Sequence, residues 1–245
     1  MRVLLTRPFS EGKRLAALLQ NRGHQAVLSP VMKVCFLDGP PLAVEGIQAI
    51  LLTSANGACA LARRTSVRDV PIFAVGPQTS EAARAGGFAN VQDAGGDSAG
   101  LVEAVCRSAR PQHGALLLAA GRERRGDVES KLAGAAFTVR VEELYDAVEI
   151  PRLSAAAAKA LAEGGVDAVM LFSPRTAKLF VRQLQSATLE GECKRIIALC
   201  ISDTTAAALP PFQFASCHVA RRPDREGMLQ LLDEAAGQPV PLSRS

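Results

Sequence analysis

The chain of 245 residues contains no tryptophan, one tyrosine and only three histidines. Its histidines, His24, His113 and His218, are scattered and show no spacing typical of metal ligands. The six cysteines form no C-x-x-C pair, and we expect them to be buried, reduced thiols; they lie at positions 35, 59, 106, 193, 200 and 217. These patterns predict a protein without a metal site.

Long apolar runs and strong charge are also missing. No stretch approaches the roughly 18 consecutive apolar residues that a membrane-spanning helix needs, and residues 1–7 lack the organisation of a signal peptide. The formal net charge of +4 is spread along the chain, without the basic run typical of a nucleic-acid groove. We therefore expect a cytoplasmic protein that binds neither nucleic acid nor membrane. We also expect a monomer, since no long apolar surface helix indicates a partner.

The common nucleophile, metal and nucleotide motifs are absent too. The chain has no Walker A sequence, no G-x-S-x-G elbow, no H-E-x-x-H and no G-x-G-x-x-G. An enzyme that holds a phosphate ligand would need a glycine-rich loop, so that function stays a minor alternative. The small positive charge favours an anionic small molecule as ligand.

A strand-turn-helix pattern occurs twice in the chain. Residues 49–58 (AILLTSANGA) combine an apolar run, a serine and an alanine-rich stretch, and residues 168–177 (AVMLFSPRTA) repeat this order. Each copy predicts a buried parallel strand followed by a helix with Ser54 or Ser173 as its N-cap. The exposed amides at the start of such a helix can hold an anion.

A second unit, at residues 72–80, recurs at residues 197–205 in the same order, which indicates two similar halves. The block at residues 115–141 is similar to the beginning of the chain, so the halves read as circularly shifted copies. This predicts an α/β protein of two doubly wound parallel-sheet domains. One is discontinuous, at residues 1–34 and 149–245, and the other is inserted at residues 35–148.

Two segments would join these domains as a two-stranded connection, with the ligand cleft between the domains. They are residues 32–36 and residues 144–150, the latter after a separate strand through residues 139–141. The last residues, 238–245, are expected to form a disordered tail.

The candidate site residues follow from where ligands bind in open α/β sheets, beyond the carboxyl ends of the strands. The predicted turns at such ends are residues 6–7, 54, 76–79, 121–122, 173 and 202–205. Taken alone, Ser54, Ser173 and Asp203 are explained by helix capping. Together with arginines, however, these side chains form a surface for carboxylates or phosphates. Arg122 also has an alternative interpretation, because with Arg124 and Arg125 it is typical of a solvated helix face.

Tyr145 is the sole tyrosine and lies on the predicted return crossing between the domains. An edge-packing role with the hydroxyl bonded to backbone is the simpler interpretation. In a cleft, the phenol could instead donate a proton to a leaving group.

Six short motifs occur in an order that resembles the uroporphyrinogen-III synthase family. They are residues 5–8 (LTRP), 52–57 (LTSANG), 74–79 (AVGPQT), 143–145 (ELY), 172–174 (FSP) and 202–205 (SDTT). The resemblance extends to about residue 236. It implies two α/β domains, the first discontinuous, and a cofactor-free lyase. The implied reaction closes the linear tetrapyrrole hydroxymethylbilane to uroporphyrinogen III, with loss of water and inversion of ring D.

The resemblance also implies roles for single residues. The family's conserved tyrosine aligns with Tyr145, as the acid that assists departure of the hydroxyl group. The implied substrate-binding residues are Arg7, Ser54, Thr79, Arg122, Ser173, Thr204 and Thr205. Residues 54–56 (SAN) depart from the Ser-Pro-Arg form of this turn, which is kept at residues 173–175. An arginine contact on that side is therefore expected to be missing.

A non-catalytic alternative needs the same cleft. A two-lobed cytoplasmic binding protein or sensor for a polycarboxylate tetrapyrrole would carry the same polar turns. We expect the enzyme rather than the sensor, because the 245 residues contain no segment typical of an appended output domain.

Overall fold

A computed structural model describes residues 1–123, 126–209 and 214–237. The predictions for Arg124, Arg125 and the tail at residues 238–245 lie outside these residues. Within the described part of the chain, no helix is long and apolar enough to cross a membrane. The chain divides into two compact units: unit 1 comprises Met1–Lys33 and Val148–Ser245, and unit 2 comprises Val34–Ala147.

Strands and helices alternate along most of the chain. The strands are β1 (Arg2–Leu5), β2 (Gln25–Leu28), β3 (Met32–Phe36), β4 (Ile47–Leu52), β5 (Ile72–Ala74), β6 (Val91–Asp93), β7 (Ala115–Gly121), β8 (Val139–Glu149), β9 (Ala168–Leu171), β10 (Ile197–Cys200) and β11 (Ser216–Val219). The α-helices are α1 (Phe9–Asn21), α2 (Ala55–Arg64), α3 (Pro77–Ala85), α4 (Ser98–Ser108), α5 (Val128–Gly134), α6 (Ala155–Ala162), α7 (Pro174–Ser186), α8 (Asp203–Ala206) and α9 (Arg225–Ala235). Two 3₁₀ segments, Pro111–His113 and Glu190–Arg195, complete the described elements.

Unit 1 contains a five-stranded sheet in the order β11-β10-β9-β1-β2, and every pairing in it is parallel. Its strands are buried on both faces because helices cover each side. Leu4 packs with Phe180 of α7 on one face, whereas Val3 and Leu5 pack with α1 and α9 on the other. This alternation is what a doubly wound parallel sheet requires.

Unit 2 contains a six-stranded sheet in the order β3-β8-β7-β4-β5-β6. The pairs among β4 to β8 are parallel. Ile50 and Leu52 face α2 and α3, while Leu51 faces α4 and α5. The expectation of an α/β fold with two mostly parallel sheets is therefore confirmed.

The predicted crossing segments correspond to β3 and to the second half of β8, which are neighbours in the sheet of unit 2. The Leu37 amide donates to the Leu144 carbonyl at 2.8 Å, and the Ile150 amide donates to the Val31 carbonyl at 2.9 Å. The prediction of a separate strand ending near Val141 is wrong. Residues 139–149 form one continuous strand, because a bulge lets the backbone keep pairing past residue 143.

A buried carboxylate ties α9 to the rest of unit 1. Asp233 of α9 is 2% exposed and accepts from Arg22 Nη1 at 2.5 Å, while His24 Nε2 lies 3.4 Å from its other oxygen. A carboxylate this deeply buried is stable only when paired. Asp233 therefore joins α9 to the segment between α1 and β2.

We expect Asp233→Ala to lower the free energy of unfolding by about 3 kcal/mol, because Arg22 and His24 lose their buried acceptor. Denaturant titration followed by circular dichroism measures this. Glu234→Ala is the matched control, since Glu234 pairs at 3.4 Å with Arg221, whose side chain is 86% exposed. Its loss should cost less than about 1 kcal/mol. Equal losses of unfolding free energy in Asp233→Ala and Glu234→Ala would contradict the role of Asp233 as a buried, paired carboxylate.

Candidate active site

Ser54 and Tyr145 meet at the carboxyl edge of the sheet in unit 2. Ser54 follows β4 and caps α2, where its Oγ accepts a hydrogen bond from the Gly57 amide at 3.0 Å. The same oxygen lies 2.8 Å from the Tyr145 hydroxyl, so these two groups share a hydrogen bond. Helix capping and the contact with Tyr145 are therefore two uses of one serine oxygen.

Gly121 makes this contact possible. β7 lies between β8 and β4, so the hydrogen bond from Tyr145 to Ser54 passes over the end of β7, at Gly121. A Cβ at position 121 would lie 2.7 Å from Cε2 and Cζ of Tyr145. Since real Cβ contacts are not that short, any side chain there would displace the phenol ring.

A β-bulge orients the tyrosine. Ala120 pairs with Glu143 and Gly121 pairs with Tyr145, which leaves Leu144 as the extra residue. In a regular strand, Leu144 and Tyr145 would point to opposite faces. Here both pack against the same hydrophobic cluster, beside α2 and α3, so the bulge turns Tyr145 towards that side of the sheet.

A close helix approach supports the same edge. A Cβ on Gly57 would lie 2.8 Å from the Ala119 carbonyl oxygen, so the first turn of α2 lies directly against β7. Only glycine permits this distance without a backbone shift. Gly57, whose amide donates to the Ser54 oxygen, is therefore a residue that must lack a side chain.

A cavity of about 310 Å³ opens beside the two hydroxyl groups. This volume is near the lower end of the roughly 300–1,000 Å³ range of small-molecule sites. Among the described residues that line the cavity, the charged ones are Glu123 and Glu129, and none is a lysine or arginine. Those residues are Thr53, Ser54, Ser98, Leu118, Ala120, Gly121, Glu123, Gly126, Val128, Glu129 and Tyr145.

Thr79 lies at the same edge but does not line this cavity. It is in the first turn of α3, it is 4% exposed, and its amide donates to the Gly76 carbonyl at 3.0 Å. The N-cap of α3 is Gly76, which has no side chain to accept from the first-turn amides. Since β5 neighbours β4, the turn with Thr79 lies next to the turn with Ser54.

Arg122 is close to the site but is already paired. Its backbone amide donates to the Tyr145 carbonyl at 2.8 Å. Its guanidinium group lies 3.2 Å from Asp146 and 3.6 Å from Glu143. In this arrangement, Arg122 holds β7 against β8, and carboxylates of the protein neutralise its charge.

The other predicted residues belong to unit 1, at the carboxyl edge formed by β10, β9 and β1. Arg7 stacks on Phe172 with 4.5 Å between the guanidinium carbon and the ring centroid, and its Nε donates to Glu11 at 2.7 Å. Ser173 caps α7, accepting from the Thr176 amide at 3.1 Å.

The threonine turn of unit 1 is organised by Ser202. The Ser202 Oγ lies 3.0 Å from the hydroxyls of both Thr204 and Thr205. Thr205 is completely buried, whereas Thr204 is exposed. Thr204 is therefore the member of this pair that an approaching solute can reach.

Sequence reasoning missed three features of the site: the glycine under the phenol, the bulge at Leu144 and the acidic lining of the cavity. Gly121 ends an ordinary apolar strand, and only the register of the neighbouring strands shows what it must accommodate. Glu123 lies within the arginine-rich segment at residues 122–125, and Glu129 lies in α5, so no local motif groups them.

The expectation of buried thiols is wrong for half of the cysteines. Cys193 and Cys200 are buried, but Cys59, Cys106 and Cys217 are exposed, because they lie on outward positions of α2, α4 and β11. Among the described residues, no group of three or more histidine, cysteine or acidic side chains is placed to hold a metal ion.

We expect Gly121→Ala to displace the Tyr145 ring and to break its hydrogen bond with Ser54. The cost in unfolding free energy should be about 1–3 kcal/mol, as for other overpacked positions. Because the chain has one tyrosine and no tryptophan, the tyrosine band of the near-ultraviolet circular dichroism spectrum and acrylamide quenching of tyrosine fluorescence report this ring alone. Both signals should change.

Gly134→Ala is the matched control for this experiment. Gly134 ends α5, and a Cβ there would meet no atom within 4 Å. Its tyrosine signals should equal those of the unsubstituted protein. Unchanged signals in Gly121→Ala as well would mean that the ring does not lie over this glycine.

One comparison with known proteins identifies a family. The family model described as "Uroporphyrinogen-III synthase HemD" matches residues 13–230. A comparison with curated protein sequences finds no significant match.

One solved structure shows the same fold. The uroporphyrinogen-III synthetase of Helicobacter pylori 26695 superimposes with a TM-score of 0.67 at 16% identity, covering 96% of this chain and 100% of that chain. A mutant uroporphyrinogen III synthase of the extremely thermophilic bacterium Thermus thermophilus matches at 20% identity over 97% of this chain and 99% of that chain, with a TM-score of 0.49. The family match confirms what the six motifs predict: the chain belongs to the uroporphyrinogen-III synthase family, the cyclising lyases of tetrapyrrole biosynthesis.

Proposed function

We propose that this chain converts hydroxymethylbilane to uroporphyrinogen III at the edge formed by Ser54, Gly121 and Tyr145. The observation that supports this site most directly is the 2.8 Å hydrogen bond between Tyr145 and Ser54 beside a cavity. A phenol held at a cavity mouth is suited to protonate a leaving hydroxyl group.

The positions of the hydroxyl protons of Ser54 and Tyr145 are consistent with this role. The Ser54 oxygen accepts the Gly57 amide proton, and its own hydroxyl proton remains to be donated. When Tyr145 gives its proton to the departing hydroxyl, the carbon–oxygen bond breaks and water leaves. Ser54 can then donate to the tyrosine oxygen and stabilise its negative charge. The pyrrole nitrogen supplies the electrons and keeps its proton, which produces the azafulvenium cation.

The cavity suits the reacting ring better than the acid groups of the substrate. Its volume accommodates a single pyrrole ring and not a whole tetrapyrrole. Glu129 repels carboxylates by like charge, and it favours a ring on which positive charge develops. In this proposal, the eight carboxylates of the bilane therefore bind elsewhere along the sheet edges.

We infer that the carboxylates bind at open helix N-termini and at the polar turns. Pro77 at the start of α3 has no amide proton, and the Thr79 and Ser80 amides donate to the Gly76 carbonyl. This leaves the Gln78 amide to bind a carboxylate, in the same turn as Thr79. In unit 1, Arg7, Ser173 and Thr204 offer a guanidinium and hydroxyls at one edge. Buried Thr205 supports that turn through Ser202. Arg122 contributes by holding β8 in place.

We further infer that the two compact units are the two domains expected at residues 1–34 with 149–245 and at residues 35–148. The same proposal includes a monomeric enzyme in the cytoplasm that needs no cofactor. The substrate is a small molecule that carries its own leaving group, so the chemistry requires an acid and a defined geometry.

Control of substrate conformation is expected to contribute more than acid catalysis. The bilane loses its hydroxyl group readily and closes spontaneously to the symmetric type I isomer. The enzyme must therefore direct attack to the substituted carbon of ring D. Positioning can supply roughly 7–11 kcal/mol, whereas one general acid adds on the order of 10²- to 10⁴-fold.

The test of this function is an isomer assay. Hydroxymethylbilane is generated in situ, the purified chain is added, and the oxidised products are separated by chromatography. We expect predominantly the type III isomer. Type I alone, formed at the spontaneous rate in the presence of folded protein, would contradict the proposal and favour a polycarboxylate-binding protein.

Tyr145→Phe should keep measurable formation of the type III isomer, with kcat lower by up to about 10²- to 10⁴-fold. The reason is that the ring still fills its place over Gly121 while the acid is lost. Kinetic measurements give the loss in rate, and isomer analysis of the products gives the formation of the type III isomer. Complete loss of type III formation, with fold and substrate affinity intact, would mean that acid catalysis outweighs positioning.

Ser54→Gly should lower kcat in the same direction, because Tyr145 loses its hydroxyl partner. Glycine is nearly as good an N-cap as serine, so α2 should lose only a few tenths of a kcal/mol. Ser98→Ala is the matched control, since Ser98 lines the same cavity without a hydrogen bond to Tyr145 among the described contacts. Equal losses in both variants would indicate a general effect on the cavity.

A further inference from the structure

Two cysteines of unit 1 lie next to each other on neighbouring strands. The register pairs Ala198 of β10 with Cys217 of β11, and Cys200 of β10 with Val219. Since residues 198 and 200 share a face of the sheet, Cys200 and Cys217 are diagonal neighbours on that face. Their sulfur atoms are 3.9 Å apart.

The two thiols differ in access to solvent. Cys200 is completely buried within the core, whereas Cys217 is exposed on β11, the edge strand of the sheet. Burial, together with the neighbouring Cys217, raises the pKa of the Cys200 thiol well above its usual value. An oxidant arriving from solvent therefore meets Cys217 first.

We propose that Cys200 and Cys217 are an oxidative modification site that forms an intramolecular disulfide on exposure to a peroxide. This inference is independent of the proposed function, because it rests on the spacing and exposure of the two thiols alone. Neither residue belongs to the motifs or to the cavity described above.

The chemistry balances with hydrogen peroxide as the oxidant. The sulfur of Cys217 attacks the peroxide, the O–O bond breaks, and one water leaves as the sulfenic acid forms. The sulfur of Cys200 then attacks that of Cys217; the S–O bond breaks and a second water leaves. The two thiols lose two protons and two electrons, and the peroxide accepts them.

The geometry requires the backbone of β11 to move, because the Cα atoms of diagonal neighbours are about 8 Å apart, whereas those of most disulfides are about 4.4–6.8 Å apart. A disulfide has an S–S distance of about 2.05 Å, so the sulfur atoms must approach by about 1.9 Å from their separation of 3.9 Å. Rotation about the Cα–Cβ bonds and a shift of β11 can supply this. An edge strand is held by one neighbour only, which makes it the easier strand to move.

The exposed cysteines of unit 2 differ from Cys217 in the products we expect on oxidation. Cys59 and Cys106 are as accessible as Cys217. Under the same oxidant we expect them to stop at sulfenic or higher acids or to link two copies of the chain. Only the pair in unit 1 should yield a disulfide within one chain.

The experiment uses the full, reduced chain treated with hydrogen peroxide, followed by alkylation of free thiols and peptide mass spectrometry under non-reducing conditions. We expect a peptide that joins Cys200 to Cys217, with the loss of two hydrogen atoms and restoration by dithiothreitol. Cys217→Ser should abolish this peptide and leave Cys200 reduced. Cys106→Ser, the matched control, should retain it.

Two results would overturn the proposal. One is that Cys217 reaches sulfinic acid in the unsubstituted protein while Cys200 stays reduced. The other is that non-reducing electrophoresis shows Cys217 only in links between copies. Both readouts come from the unsubstituted chain, so they hold even if a variant fails to fold.

Discussion

The hydrogen bond between Tyr145 and Ser54 depends on a position where no side chain is tolerated. Gly121 ends the strand between them, and the phenol ring occupies the space that a Cβ would need. The bulge at Leu144 turns the ring to the correct face, and Gly57 brings the start of α2 close enough to fix the serine. Three backbone features therefore place two hydroxyl groups, and the cavity beside them follows from that placement.

Charge is distributed unevenly around the candidate site, and this has consequences for the substrate. The cavity presents the carboxylate of Glu129, and the nearby Arg122 pairs with Asp146 and Glu143. A backbone amide at the start of α3, that of Gln78, offers positive potential in unit 2, whereas Arg7 in unit 1 already pairs with Glu11. In the proposed function, the acid groups of a polycarboxylate bind outside the cavity while the cavity receives the ring that becomes electron-poor.

Helix capping and function are compatible at the repeated serine turns. Ser54 and Ser173 both cap the helices that follow them, as their sequence context predicts. Capping uses the oxygen as an acceptor and leaves the hydroxyl proton available. At Ser54 that remaining capacity is directed to Tyr145, whereas at Ser173 the oxygen lies 2.8 Å from the Thr176 hydroxyl. The same local motif thus serves a second purpose that depends on its tertiary neighbours.

The sequence by itself determined the element order, the mostly parallel sheets and the family, because apolar periodicity, serine caps and motif order are local properties of the chain. It also identified Tyr145 and Ser54 as candidates, but not as partners, since they are 91 residues apart and meet only across β7. The continuous β8, the role of Gly121, the neutralisation of Arg122 and the exposure of Cys217 were decided by tertiary structure. Each of these depends on strand register or on which face of an element is covered, and neither can be read from one segment alone.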